Sequence, residues 1–389
     1  TIEQGCDREG RLLFRHCEAV LDNGAYTSWG ATTPSVMMMP ITTLYRVPNV
    51  RYEATCVYTN NTYSQAMRGY GNPQATFAIE STIDMLAEAA GIDPLEFRRI
   101  NANQPGDVST QGLRITTCGL TECMEAVKTQ LGWKQPRSPG EGVGIASLIH
   151  VGGGARVYKS DGCGAMLKMD DFGKVDVFSG ATDMGQGSDT VIAQIVAEEL
   201  GLNIEDIHVI HSDTDICPWD VGAHASRTTF VAGNAALGAA RKIKSRILEM
   251  AAKELYAPLE KLVLGNRHIR HVDEPDRKVE IGKLLRKAHF SHGGQMLMAE
   301  SFYDPANENM GKDFRGNMSM TYTFGVHGVR VKVDEETGKV KVLNYVAAHD
   351  VGRAINPMLL EGQVYGGVMM GLGYALSEQV ILQRGETMN

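Results

Sequence analysis

The segment GATDMGQGSDT, residues 180–190, joins two elements of different kinds. Residues 174–179 before it have the apolar alternation of a strand, and residues after Gly187 have the apolar pattern of a helix that ends near Leu200. Gly201 stands where a helix C-cap glycine is expected. A strand, a glycine-rich turn and a helix in this order predict a mixed fold with a helix N-terminus at the turn.

This turn is suited to a large polar ligand. Its backbone amides and the helix N-terminus point at one place, and Ser188 or Thr190 can cap the helix. Gln186 lies between Gly185 and Gly187, so we expect its amide donor and acceptor to be free for a ligand. The P-loop lysine is missing, which argues against a nucleoside triphosphate. Alone, the motif is equally consistent with an ordinary helix-capping turn.

In the remaining sequence, predicted strands alternate with long predicted helices, which predicts an α+β fold of mixed sheets. Residues 10–58 are interpreted as strands, chiefly 11–22 and 50–58, and a hairpin is predicted over 329–333 and 339–347. Helices are predicted from Gln74 to a stop at Gly91 and over 94–100, 120–131, 230–256 and 361–378. A linker-like composition at 137–142 places a domain boundary there, giving domains 1–136 and 137–389.

Three further turns are rich in glycine, amide or small hydroxylated residues. They are residues 66–74 with Arg68, residues 222–229 with His224, and residues 350–357 followed by Gln363 in a helix that carries Gly366, Gly367, Gly371 and Gly373. His224 could be a metal ligand or a base, but a single histidine of this kind is more often structural. Together the four turns predict a chain that holds a large polar cofactor through backbone and amide groups.

Composition excludes several other classes. The 389 residues carry a net charge of −8 with acids and bases interspersed, which does not favour nucleic acid as a partner. The seven cysteines include no CxxC pair, which argues against an iron–sulfur cluster or a structural zinc in this chain. An odd cysteine count fits a reducing cytoplasm, and we expect neither a membrane span nor a signal peptide. Because the sequence starts at Thr1, inside a segment with a strand-like pattern, we expect the chain to be incomplete.

The four turns, in order and spacing, resemble the large, molybdenum-binding subunit of the xanthine dehydrogenase and aldehyde oxidase family. Arg68-Gly69-Tyr70-Gly71-Asn72-Pro73-Gln74 is similar to the family's Arg-Gly-aromatic-Gly-x-Pro-Gln loop, and Met184-Gly185-Gln186-Gly187 is similar to its Met-Gly-Gln-Gly motif. Asp350-Val351-Gly352, Asn356-Pro357 and Gly362-Gln363-Val364 resemble its last cofactor segment. The likeness extends from about residue 10 to about residue 380, which implies two molybdopterin-binding domains, incomplete at both ends.

The resemblance implies a molybdopterin cofactor, in its cytosine dinucleotide form, with molybdenum held by the pterin dithiolene and by no side chain of this chain. Substrate contacts are implied for Arg68 and Tyr70. Cofactor contacts are implied for Arg68, Gly69, Gly185, Gln186, Gly187, Ala225, Ser226 and Gln363.

Two family features are missing from this sequence. The glycine-rich motif of the family lies upstream of Thr1, and the Gly-Glu motif with the catalytic base lies downstream of Asn389, so no catalytic residue is assigned here. Glu378 resembles a family position but not the base. The resemblance also implies 2Fe-2S and FAD on partner chains, and therefore a hetero-oligomer with iron–sulfur and flavin subunits.

The implied reaction is hydroxylation of an aromatic or N-heteroaromatic substrate with oxygen from water. Tyr70 favours a planar ring that stacks on it. The glycines of His150-Val151-Gly152-Gly153-Gly154 are expected to leave the opposite side open for a substrate bulkier than a purine. Residues 144–155 also resemble 4-hydroxybenzoyl-CoA reductase, so reductive dehydroxylation of an aryl-CoA is an alternative. A third hypothesis is a cofactor-binding fragment that is inactive without a partner chain.

Overall fold

A computed structural model describes residues 1–154, 160–291 and 294–389. Its mixture of helices and mixed sheets confirms the α+β prediction. The helices in the described residues are α1 (Thr33–Thr43), α2 (Asn72–Ala90), α3 (Pro94–Asn101), α4 (Leu120–Leu131), α5 (Ser188–Leu200), α6 (Thr228–Leu255), α7 (Ile281–Phe290) and α8 (Pro357–Leu376).

The described strands run from β1 to β15. They are β1 (Ile2–Cys6), β2 (Leu12–Gly24), β3 (Val50–Tyr58), β4 (Glu141–Val151), β5 (Cys163–Met169), β6 (Val175–Ser179), β7 (Ile207–Ile210), β8 (Leu262–Gly265), β9 (His268–His271), β10 (Lys278–Glu280), β11 (Leu297–Tyr303), β12 (Tyr322–Val333), β13 (Val340–Asp350), β14 (Leu382–Gln383) and β15 (Glu386–Thr387).

The chain divides into two compact units, which are described separately. The first unit comprises 1–151, 308–353 and 362–389, and the second comprises 152–307 and 354–361. This division follows three-dimensional contacts and is not the linear division at residues 136 and 137. That linear boundary stays a prediction about the sequence domains.

The first unit contains the sheet β1-β2-β3 and the antiparallel sheet β13-β12-β4. Strand β2 pairs antiparallel with β1 and parallel with β3. The predicted hairpin is confirmed as β12 and β13, which are longer than the sequence indicated. The core of the first unit includes Ile79, Ile83, Phe97 and Phe324, all fully buried.

The second unit contains the four-stranded sheet β11-β5-β6-β7 and the small sheet β10-β9-β8. Helix α6 contacts β5, β11 and α5. Its buried face is formed mainly by small residues, which allow close approach of the helix to the sheet. They are Ala232, Gly233, Ala235, Ala236, Ala239 and Ala240.

The interpretation of residues 10–58 as strands is wrong in its middle part, because Thr33–Thr43 form α1. Pro34 lies in the first turn, where proline is well tolerated. The unbranched Met37, Met38 and Met39 are buried there, and methionine favours helix. Helix α1 has almost no amphipathic pattern because nearly all its residues are buried, so periodicity alone could not indicate it.

The face of α2 that packs against the core is not purely apolar. Phe77 and Met85 are exposed, whereas Glu80 is 6% exposed and faces the core. Its carboxylate accepts hydrogen bonds from the Tyr45 hydroxyl at 2.7 Å, the Arg98 Nε at 2.7 Å and the Ser147 amide at 3.0 Å. One buried carboxylate therefore links α2 to α3, to β4 and to the segment after α1.

No helix among the described residues combines the length and the apolar character needed to cross a bilayer.

We predict that Arg98→Met destabilises the chain by about 3–5 kcal/mol, because it leaves the Glu80 carboxylate buried without its cation. The exposed neighbour Arg99, which pairs with Glu96 on the same helix, provides the matched control Arg99→Met. Urea denaturation followed by circular dichroism compares the two. Equal midpoints for both variants would show that the buried pair is not needed.

Candidate functional site

In the first unit, the Arg68 loop leads directly into α2. Gly69 and Gly71 have positive φ values of 77° and 85°, which only glycine adopts without strain. A Cβ on Gly71 would also lie 2.8 Å from the Val36 side chain. The Gly71 amide donates to the Gln74 side chain at 2.9 Å, which caps α2 at its first turn. Sequence and packing thus fix the loop immediately before the helix.

Arg68 is exposed, and its guanidinium is held in place. Nη2 donates to the Gln363 carbonyl of α8 at 2.8 Å. A Cβ on Gly366 would lie 3.2 Å from Nη1, so the glycine makes room for the guanidinium. The structure brings together Arg68 and Gln363, two residues that were assigned from separate motifs.

Three other glycines of α8 have different surroundings. A Cβ on Gly373 would meet the carboxylate of the exposed Glu378, so this glycine lets that side chain lie against the helix. A Cβ on Gly367 or Gly371 would contact nothing within 4 Å. These two positions leave the backbone of α8 open to close approach by another group.

Tyr70 is half-buried next to a second aromatic residue. Its ring centroid lies 6.3 Å from that of Trp29, with the ring planes at 55°. Trp29 was not assigned from the sequence, since it lies 41 residues earlier in a segment interpreted as strand. The pair offers an aromatic surface to a planar molecule.

His150 lies in the same unit, at the end of β4. Its Nδ1 is 3.2 Å from the Asn72 Nδ2, at the start of α2. Burial lowers the pKa of His150 to about 4, so the ring is neutral at pH 7. A neutral ring next to the Arg68 loop can donate or accept a hydrogen bond without adding charge.

In the second unit, the Gly185–Gly187 turn precedes α5 as predicted, but its amide groups are already engaged. The Gln186 Oε1 accepts from the Met184 amide at 2.5 Å, and Nε2 donates to the Thr182 carbonyl at 2.9 Å. The expectation that the Gln186 amide is free is therefore wrong. The Gln186 side chain is long enough for its amide to reach back to Met184 and Thr182. These hydrogen bonds stabilise the turn internally.

The expected capping by Ser188 or Thr190 is also not observed, because α5 begins at Ser188 with Gly187 as its N-cap. Asp183 takes that role. Its carboxylate accepts from the amides of Gly185 at 2.7 Å and Asp189 at 3.2 Å. Burial opposes ionisation of Asp183, but the backbone hydrogen bonds outweigh it, and its pKa lies below the usual value.

The same turn packs against the start of α8 within this unit. A Cβ on Gly187 would lie 2.7 Å from the Leu359 side chain. Asn356 accepts from the Leu359 amide at 3.0 Å and donates to the Gln194 side chain at 3.1 Å. Helix α8 begins at Pro357, four residues before the helix predicted over 361–378, and the residue preceding it also contacts α5.

Ala225 and Ser226 form a strained turn before α6. Their φ values of 48° and 52° are left-handed, which costs about 1–2 kcal/mol for a residue with a Cβ. The Ala225 carbonyl accepts from the Gly153 amide at 2.8 Å. Left-handed backbone at two successive residues requires strong support from the surroundings.

Arg227 provides that support. It is fully buried, and its Nε lies 2.9 Å from Asp161, while Nη1 donates to Asp220 at 2.7 Å. Nη2 donates to the carbonyls of Asp161 and Gly162 at 2.6 and 2.7 Å. One guanidinium therefore ties the strained turn to two other loops.

His224 lies within this turn. Burial and the neighbouring Arg227 lower its pKa, so the ring is neutral at pH 7. Among the described residues, there is no group of three or more His, Cys, Asp or Glu that could hold a metal ion. These observations favour the structural role of His224.

Gly153 has an internal reason for being glycine. Its φ is 110°, and a Cβ would lie 2.4 Å from the Asp161 carboxylate. That carboxylate accepts from the Gly154 amide at 2.6 Å. The idea that this glycine leaves room for a bulky substrate is therefore unsupported. Ala155, the last residue of the stretch that resembles the aryl-CoA enzyme, lies outside the described residues.

The residues present fit a molybdopterin group. In the second unit, a Cβ on Gly185 would contact nothing within 4 Å, so the turn can be approached closely. In the first unit, Arg68 offers a fixed cation beside the open positions of α8. Such donors suit an anionic, oxygen-rich ligand. Within the described residues, the cysteines are free thiols.

Comparison with known proteins also indicates a molybdopterin-binding chain. Residues 1–102 and residues 123–389 each match a family described as a molybdopterin cofactor-binding domain. The chain is 36% identical to the xanthine dehydrogenase molybdenum-binding subunit of Escherichia coli, over 98% of this chain and 50% of the relative. It is 32% identical to a probable xanthine dehydrogenase subunit of Bacillus subtilis, over 99% of this chain and 51% of that relative.

The fold has a close counterpart among solved structures. Quinoline 2-oxidoreductase from Pseudomonas putida superposes with a TM-score of 0.87 at 26% identity, over 100% of this chain and 51% of that chain. The chain spans about half the length of the relatives that it matches.

These matches define a cofactor-binding chain of the molybdenum hydroxylase class. The chain belongs to the molybdopterin cofactor-binding domain family, since one match alone covers residues 123–389. The resemblance to the molybdenum-binding large subunits of the xanthine dehydrogenase and aldehyde oxidase family is confirmed. The roles of individual residues stay predictions.

We predict that Arg227→Met lowers the free energy of unfolding by about 3–5 kcal/mol, because Asp161 and Asp220 would remain buried without their cation. Arg241→Met, at an exposed position of α6, serves as the control. Chemical denaturation of both variants makes the comparison. A variant at Arg227 as stable as the one at Arg241 would contradict the role of the buried pairs.

Proposed function

We propose that this chain supplies the cofactor-holding part of a molybdenum hydroxylase that oxidises an aromatic or N-heteroaromatic substrate with oxygen from water. The observation that carries the proposal is the Arg68 guanidinium, which is held on the Gln363 carbonyl beside open backbone of α8. When bound, the molybdenum cofactor supplies the oxidising centre. The chain's own residues bind the cofactor, orient the substrate and exclude water from the site.

Arg68 acts as a preorganised cation in this proposal. Its hydrogen bond to a helix carbonyl leaves the other guanidinium N–H groups available to an oxygen-rich partner. Because the guanidinium is fixed before binding, little ordering is needed when negative charge develops next to it. Gln363, Gly69, Gly185, Gln186, Gly187, Ala225 and Ser226 are proposed as cofactor contacts, with Gln186 acting through the shape of its turn and not through a free amide.

Tyr70 and Trp29 are proposed to receive the substrate. Aromatic rings prefer offset or edge contacts with another ring, and the tilted pair offers both a face and an edge. This arrangement favours a flat ring substrate. The alternative, reductive dehydroxylation of an aryl-CoA, gains no support from Gly153, since Asp161 explains that glycine.

The proton acceptor is proposed to lie in a segment outside this sequence, either of the same polypeptide or of a partner chain. Glu378 does not suit the role, because its amide and carboxylate both lie against Gly373 at the end of α8. We therefore retain the hypothesis that this chain binds the cofactor and requires another segment for activity.

We further propose a cytosine dinucleotide form of the pterin and partner subunits that carry 2Fe-2S clusters and FAD in a hetero-oligomer. The names of the relatives describe subunits of larger enzymes, which supports the partner chains. The form of the pterin and the cofactors of the partners are proposed from the family resemblance alone. A cytoplasmic location is proposed from the seven cysteines, all present as free thiols.

We predict that Arg68→Lys in the full enzyme lowers kcat/KM by about 100-fold or more, because a lysine cannot reproduce the fixed guanidinium donors. Molybdenum content by mass spectrometry, measured on the same samples, separates loss of cofactor from loss of chemistry. Arg8→Lys, at an exposed arginine of the same unit, is the control.

Unchanged turnover and unchanged molybdenum content in Arg68→Lys would remove the proposed role of Arg68. Unchanged turnover after Tyr70→Ala on an aromatic substrate would remove the stacking role of that ring.

A further inference from the structure

A cluster of polar aromatic side chains lies on the sheet β13-β12-β4, and none of its members belongs to the proposed cofactor site. His327 is on β12, and Tyr345 and His349 are on β13. In the antiparallel register, His349 pairs with Gly325 and Tyr345 pairs with Val329. Residues 325, 327 and 329 alternate along one strand, so the three side chains share one face of the sheet.

The three side chains are in direct contact. The Nε2 atoms of His327 and His349 are 2.8 Å apart, and the His327 Nδ1 is 2.9 Å from the Tyr345 hydroxyl. The two imidazole rings have centroids 4.9 Å apart and planes at 77°. Both Nε2 atoms are therefore directed at one point between the strands.

The surroundings of this point are uncharged. Cross-strand neighbours on the same face are Ala146 and Ala347 beside His327, and Gly325 with its own partner Leu148 beside His349. A Cβ on Gly325 would lie 2.7 Å from the His349 Nδ1, so the ring rests directly on the glycine backbone. The positions directly across from His327 on both neighbouring strands are alanines, so no bulky side chain is paired with it.

Both rings are neutral at pH 7. Burial lowers the pKa of His327 to about 4, and burial also lowers the pKa of His349. A neutral imidazole pair can share only one proton between two facing Nε2 atoms, and that proton occupies the position between two nitrogen lone pairs. A metal ion could take the same position, since neutral imidazole is the form that binds metals.

We propose that His327 and His349 form a two-histidine chelating site for a divalent transition-metal ion of the nickel, copper and zinc group. Imidazole nitrogen suits these ions, whereas Mg²⁺ and Ca²⁺ require oxygen ligands. Two Zn–N bonds of about 2.0–2.1 Å at a tetrahedral angle place the nitrogens about 3.3 Å apart. The two nitrogens must therefore move about 0.5 Å further apart, and both rings must turn so that their lone pairs meet at the metal. Water completes the coordination.

Tyr345 is a positioning residue in this site. With the metal on Nε2, the His327 Nδ1–H donates to the Tyr345 hydroxyl, which fixes the ring and its tautomer. A partner that orients a metal-binding histidine in this way typically affects metal affinity by about 10–100-fold. The site is independent of the proposed molybdenum function, because no cofactor residue belongs to it.

The test is a Zn²⁺ titration of the EDTA-treated protein against a chromophoric chelator. We expect one Zn²⁺ site whose affinity falls at least about tenfold in His327→Asn and in His349→Asn, and about tenfold in Tyr345→Phe. His208→Asn, at an exposed histidine of β7 that faces Asp176, is the matched control and should leave the site unchanged.

A second readout does not depend on variant stability. Electron paramagnetic resonance of the wild-type protein with one equivalent of Cu²⁺ should show two equatorial nitrogen ligands. Zn²⁺ affinity that is the same in wild type and in folded His327→Asn, or a Cu²⁺ spectrum without two nitrogens, would overturn the proposal and leave a hydrogen-bonded histidine pair.

Discussion

The buried guanidinium of Arg227 is the constraint on which the second unit depends most. Two successive residues before it, Ala225 and Ser226, adopt left-handed backbone that their side chains disfavour. Such a turn persists only where the surroundings hold it. Arg227 does so by ion pairs with Asp161 and Asp220 and by bonds to two carbonyls, so one charged group fixes three loops at once.

The first unit is likewise stabilised by buried arginine side chains. Arg98 is fully buried against Glu80, and Arg15 is buried against the carbonyls at the end of α1. A cation near the carbonyl end of a helix is favourable. Burial lowers the pKa of Arg15 to about 10, yet the side chain remains charged at pH 7. Interior charges therefore fix the loops and helix ends, which apolar packing alone specifies less sharply.

Sequence alone predicted the features that depend on local chemistry. Helices α2 and α5 end as expected at Gly91 and Gly201, because a left-handed C-cap favours glycine. Helix α1 was missed because burial on all sides removes the amphipathic period. A sequence also does not show that the Gln186 amide turns back onto its own loop, or that Trp29 lies beside Tyr70. The family motifs indicated the correct class because several short segments had to match in order.

The measurement that tests the central claim most directly is the molybdenum and pterin content of the native, full-length protein. Mass spectrometry of the metal and chromatography of the released pterin give both quantities on one sample. The account predicts about one molybdenum and one pterin per chain, by analogy with other tightly held cofactors. A fully folded protein with neither molybdenum nor pterin, even after expression with excess molybdate, would contradict it.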